Sequence, residues 1–146
     1  MAFGIGKEVE VCSREDGFLG SYYAATVVAH LENMNMYIVQ YKELLKNDES
    51  GPLIERVLKN EVRPVPPEMV ATGFSYLDKV DAYDNDGWWV GKITGKEGSN
   101  YNVYFETTGE EIAYPVSRLR FHLDWLSGKW VSTKKSLAPS SSNSTR

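Results

Sequence analysis

Eighteen aromatic side chains (nine Tyr, five Phe, four Trp) have the most chemistry to offer, and two pairs of them, Tyr22-Tyr23 and Trp88-Trp89, stand side by side. An aromatic face can stack on a nucleobase or hold a cation within about 6 Å of its centroid. Reactive chemistry has no comparable basis. The chain carries no Gly-x-Ser-x-Gly, no phosphate-cradling glycine loop and no His-rich cluster. Cys12 sits in an alternating strand pattern, where a small buried hydrophobe is the ordinary role. With His30 and His122 it completes the soft metal ligands, which lie far apart without paired spacing. The expectation is a non-enzymatic chain with no metal and no cofactor. A single cysteine excludes an intrachain disulfide and suits a reducing compartment, cytosol or nucleus.

Charge separates the two uses of an aromatic face. All 20 Asp and Glu lie before residue 131, so residues 1–130 hold 13 basic against 20 acidic groups, net −7, under an overall net charge of −4. Such a surface repels phosphate backbones and attracts basic peptides. A nucleic-acid module, which needs a basic groove beside its aromatics, is the alternative. A further alternative is a module that adds an unmodified peptide to an open sheet edge. No apolar run approaches the roughly 18 residues that cross a bilayer, and Met1-Ala2-Phe3-Gly4 starts no charged-then-apolar leader, so no membrane partner is expected.

The elements that must position these rings come in duplicate. Val9-Glu10-Val11 is echoed by Val80-Asp81-Ala82, and Ser21-Tyr22-Tyr23-Ala24-Ala25-Thr26-Val27 by Gly87-Trp88-Trp89-Val90-Gly91-Lys92-Ile93. Tyr37-Ile38-Val39-Gln40-Tyr41 matches Tyr101-Asn102-Val103-Tyr104-Phe105, and Val62-Arg63-Pro64 matches Leu119-Arg120-Phe121. The offset falls from 71 to 66, 64 and 57, as duplication with loop trimming would leave. Period-two alternation broken by Gly, Asn, Asp and Pro predicts strands at 7–13, 21–31, 36–42, 53–58 and 61–63, then 78–83, 87–96, 100–106, 110–114 and 118–120. Pro64-Val65-Pro66-Pro67 ends the first copy, and Glu68 to Ser75 reads as a short linker or helical turn. From 131 onward the chain is Ser, Thr, Lys and Pro with few apolar residues, and a disordered tail or linker over 131–146 is expected.

Taken in order, Gly6-Lys7-Glu8-Val9-Glu10-Val11, Gly20-Ser21-Tyr22-Tyr23-Ala24-Ala25-Thr26-Val27, Tyr37 to Tyr41 and Val62 to Pro67, followed by Val80 to Tyr83, Asp86 to Ile93 and Leu119-Arg120, resemble a tandem pair of Agenet domains. These are the plant members of the Tudor-containing Royal superfamily, and the resemblance covers roughly residues 3 to 130. It implies an all-β fold of two tandem Tudor-like, five-stranded antiparallel barrels packed together, at 3–68 and 74–130. It also implies no catalysis, a nuclear location and recognition of methylated lysine or arginine. More narrowly, the chain is similar to plant tandem-Agenet proteins that read the histone H3 N-terminal tail, dimethylated on its lysine nine, in silent heterochromatin.

The same resemblance places a methyl-lysine cage at one end of a barrel, built from the first inter-strand loop, the start of the second strand and the end of the third. Those places hold Phe18, Tyr23 or Tyr22, and Tyr41. Neighbouring strand residues face opposite ways, so only one of Tyr22 and Tyr23 lines the pocket, with Tyr23 the first choice by similarity to the Tudor second strand. Their bland alternative is core or cross-strand packing. In the second copy Trp88, Trp89 and Phe105 hold the equivalent places, but Asp84-Asn85-Asp86 replaces the loop aromatic, and core packing or contact between the copies is the better reading for the tryptophans. Asp16, Glu43, Asp48, Glu49, Asp84 and Asp86 are candidates for an acidic wall around the peptide, although most charge runs are merely solvated.

Overall fold

Alternation of apolar and polar side chains along short segments drives one face of each strand inward, and the computed structural model, which describes residues 2–13 and 20–132, is built of twelve such strands. They are β1 (Glu8–Cys12), β2 (Ser21–Leu31), β3 (Met36–Leu45), β4 (Pro52–Leu58), β5 (Val62–Pro64), β6 (Lys79–Asp84), β7 (Gly87–Glu97), β8 (Asn100–Phe105), β9 (Glu110–Pro115), β10 (Leu119–Phe121), β11 (Leu123–Leu126) and β12 (Lys129–Ser132). Ten of them follow the predicted segments closely. The segment from Glu68 to Ser75 holds no helical turn, and single 3-10 turns occur instead at Glu32–Met34, Lys59–Glu61 and Val116–Arg118.

The chain divides into two compact units, Met1–Val65 with Tyr83–Trp89, and Pro66–Ala82 with Val90–Arg146. In the first unit β5, β1, β2, β3 and β4 pair antiparallel in that order. The inward set is odd-numbered along the strands: Val9 and Val11, then Tyr23, Ala25 and Val27, then Tyr37, Val39 and Tyr41, then Val57. A register shift between Val27 and Ala29 bends the 11-residue β2, so that it serves both the β1 and the β3 side of the barrel. The segment Tyr83–Trp89 completes this unit by pairing Ser21 with Trp89 and Tyr22 with Trp88.

The second unit repeats the order as β10, β6, β7, β8 and β9, with a matching register shift between Ile93 and Gly95. Its interior holds Val80, Ala82, Ile93, Tyr101, Val103, Phe105, Tyr114, Leu119 and Leu123. The duplication extends to a buried ion pair across the first and last strands of each barrel. Arg63 Nη2 lies 2.8 Å from Glu10 Oε1, and Arg120 Nε lies 2.8 Å from Asp81 Oδ2, each pair directly opposed in register. It extends also to the strand entry, where the backbone N–H of Phe3 donates to Tyr37 Oη and that of Phe74 donates to Tyr101 Oη.

Two differences from the sequence reading stand out. The hairpin β11–β12 lies beyond the last predicted strand, its reversal made by Ser127 and Gly128 at φ 51° and 77° and its strands joined by the directly opposed Trp125 and Trp130. Val131 and Ser132, assigned to the tail, therefore belong to β12, and the remainder of that segment, 133–146, lies outside the described residues. The reversal after β7 is also one residue tighter than predicted, because Glu97 stays in the ladder opposite Asn100 and only Gly98 and Ser99 turn.

Candidate functional site

Tyr23 and Tyr41 carry their rings to the same mouth of the first unit, because both occupy the inward phase of their strands. They wall a cavity of about 380 Å³ together with Val11, Cys12, Ser13, Leu44, Leu53, Glu55, Arg56, Val57, Glu61 and Asn85. Tyr41 Oη donates to Glu55 Oε1 at 2.8 Å, which fixes the tyrosine and draws the carboxylate to the wall. Glu61 also reaches the cavity, with one oxygen accepting the backbone N–H of Leu58 at 2.9 Å in a local cap of the 3-10 turn. Tyr23 and Tyr41 also belong to the core cluster, at 6% and 5% exposure, and aromatic rings beside two carboxylates make a lining suited to an organic cation.

Tyr22 points the other way. Its ring lies under the Arg63 guanidinium, 3.6 Å from centroid to Cζ, and Arg63 in turn donates from Nε and Nη2 to Glu10 Oε1. Of the two adjacent tyrosines, then, Tyr23 is brought to the cavity and Tyr22 is engaged in the buried ion pair. Phe18 and Asp16 lie outside the described residues.

The second-copy aromatics separate. Trp89 sets its ring edge-on to Tyr23, with centroids 6.4 Å apart and planes at 82°, and its Nε1 donates to the Asp84 carbonyl at 2.7 Å. Trp88 packs on Tyr83 at 5.1 Å. Phe105 is buried in the second barrel against Tyr114 at 6.2 Å, which is core packing.

The carboxylates that line the cavity are not those expected from the sequence. Glu43, Asp48 and Glu49 are exposed at the end of β3 and in the following turn and do not line the cavity. Hydrogen bonds from the Ser50 side chain and backbone lower the pKa of Asp48, a local turn feature. Asp84 and Asp86 flank Asn85, which does line it. The carboxylates at the cavity, Glu55 and Glu61, were absent from the sequence candidates. The signal available was the β4 alternation Leu53-Glu55-Val57, which puts one charged residue in phase with the core. Cys12 is half-buried at the cavity wall instead of fully buried, with Sγ 3.7 Å from the Ser13 carbonyl.

Comparison with known proteins adds a family. The model of the Agenet domain matches residues 6–67. The chain is 39% identical over 139 residues to the Arabidopsis thaliana protein Agenet domain (AGD)-containing P1, covering 92% of this chain and 26% of that protein. It is also 39% identical over 129 residues to DUF724 domain-containing protein 3 of the same plant, covering 84% and 19%. The chain thus spans about a quarter or less of the length of these curated relatives. Among solved structures it is similar to Arabidopsis thaliana AGDP1 AGD34, with TM-score 0.83 and 36% identity over 89% of each chain. It is likewise similar to the ADCP1 tandem Agenet domain 3-4, with TM-score 0.80 and 33% identity over 90% of this chain and 89% of that one.

Proposed function

This chain belongs to the Agenet family, and on that premise we propose that it is a chromatin reader whose first-unit cavity holds a methylated lysine of the histone H3 tail, lysine nine in its dimethylated form. Agenet domains are peptide- and protein-binding modules with a Tudor-like fold, so the reading concerns which peptide and by what chemistry. The observation that carries it is the pair of inward tyrosines, Tyr23 and Tyr41, meeting Glu55 at one cavity.

A methylammonium offers spread positive charge and few donors, so ring faces select it better than hydrogen bonds do, each contributing about 0.5–2 kcal/mol. Mono- and dimethyl-lysine keep an N–H that trimethyl-lysine lacks, and a cavity carboxylate such as Glu55 accepts it. The excess of acidic groups over residues 1–130 favours the basic tail around the modified residue and disfavours RNA. This reading places the protein in the nucleus, in gene silencing at heterochromatin.

Calorimetric titration of H3 tail peptides, unmodified and mono-, di- or trimethylated at lysines four, nine and twenty-seven, tests it against wild type and Tyr41→Leu, which keeps apolar volume but removes the ring face. Dimethylation should tighten binding by about tenfold or more, and the variant should lose most of that gain. Equal affinity for methylated and unmodified peptides would overturn the reading.

A further inference from the structure

We propose that the turn from Asp84 to Gly87 is a working part of the same cavity, Gly87 setting the Tyr23 ring and Asn85 presenting its amide to the main chain of the bound peptide. This rests on the methyl-lysine reading above and adds to it residues that come from the start of the second repeat in sequence but belong to the first unit.

The turn is a two-residue reversal, with Asn85 and Asp86 at φ 49° and 63°. Positive φ at both central positions is the geometry that matches the twist of paired strands. Gly87 lies beyond these positions and is not among the glycines of positive φ, so the turn itself does not demand glycine there. Its surroundings do. A Cβ added at Gly87 would stand 2.5 Å from Tyr23 Cε1, 2.8 Å from Cδ1 and 3.1 Å from the Tyr22 carbonyl oxygen. Any side chain at 87 therefore displaces the ring that walls the cavity. The turn is also tied to that ring through Trp89, which donates to the Asp84 carbonyl and lies edge-on to Tyr23.

Asn85 is the turn residue that reaches the cavity. Its carboxamide both donates and accepts, the complement of a peptide group, whereas the rings and carboxylates opposite serve a cationic side chain. The turn thus divides the work. One residue fixes the ring that senses methylation, and another contacts the chain that carries it.

Two variants separate these roles. Asn85→Gly keeps the left-handed backbone and removes the amide, so affinity should fall by about three- to tenfold for every methylation state alike. Gly87→Ala should shrink the preference for dimethylated over unmodified peptide by about tenfold, with the Tyr23 ring resonances displaced in the peptide-free protein. Asn85→Gly binding like wild type removes the role given to Asn85. Gly87→Ala with undisplaced Tyr23 signals and unchanged preference removes that given to Gly87. If wild type itself shows no methyl preference, the cavity reading fails, and the Tyr23 resonances of Gly87→Ala still decide whether the glycine positions the ring. Should Gly87→Ala not fold, the Asn85→Gly titration alone decides whether the turn belongs to the site.

Discussion

Tyr22 and Tyr23 share a residue type and have opposite roles, because one residue of strand phase decides which ring meets the cavity and which meets Arg63. Alternation along β2 told only that the two rings face opposite ways; the preference for Tyr23 came from the family resemblance, and the packing of β2 shows which ring turns inward. Glu55 was not legible to the same degree, because a charged residue in a core phase is ordinarily taken as a solvated exception until its partner, here the Tyr41 hydroxyl, is known. Glu55→Gln keeps shape but removes the anion, and the ratio of trimethyl to dimethyl affinity should rise by about fivefold in parallel titrations. His122 offers a test of another kind. It is buried, with Nδ1 2.7 Å from Asp81 Oδ1 and Nε2 2.8 Å from Asp124 Oδ1, so a protonated imidazole has a carboxylate acceptor for each of its two N–H groups. Burial opposes that charge, but hydrogen bonds and attraction from Asp81 and then Asp124 outweigh it and raise the imidazole above its ordinary 6.5. The stability it contributes is therefore complete below about pH 6.5 and is lost as pH rises through the raised value. Urea unfolding from about pH 6 to pH 9 should show that decline, and His122→Gln should flatten it; an unchanged slope in the variant would refute the assignment.

Strands recur at the scale of elements because the sequence repeats, and their order twice over reflects the same buried ion pair closing each barrel's first and last strands. The spacing Glu10…Arg63 and Asp81…Arg120 was visible as a repeat, but pairing over 53 and 39 residues depends on a register that no local pattern states. Arg63→Leu strands Glu10, which is 2% exposed, and should cost about 3–5 kcal/mol in denaturant unfolding. Arg120→Leu should cost less, since the Arg120 side chain is 20% exposed and His122 remains beside Asp81. The hairpin β11–β12 escaped the sequence reading for a related reason. It has no counterpart after β5 in the first copy, so the repeat that located the three-residue β5 and β10 gives no sign of it, and Trp125 and Trp130 become a pair only after Ser127-Gly128 turns the chain.

For the whole molecule, the compact unit that holds the cavity gathers Met1–Val65 and then Tyr83–Trp89 across an intervening stretch of chain. A fragment of residues 3–68 lacks the segment that packs on Tyr23. It should unfold at lower denaturant than the first unit does in the whole chain, by roughly the 2–3 kcal/mol that burial of one large side chain supplies, and should bind methylated peptide poorly. Matching stability and affinity in the fragment would show that Tyr83–Trp89 is dispensable. The sequence by itself determined the all-β class, the duplication, ten of the strands and the acidic balance, because period-two alternation and charge are properties of neighbouring residues and of totals. Only the tertiary structure decided which carboxylates reach the cavity, that Asn85 lines it and why residue 87 is glycine. Those facts are distances between atoms far apart in the chain, set by strand register and by the register shifts in β2 and β7, and no spacing in the sequence records them.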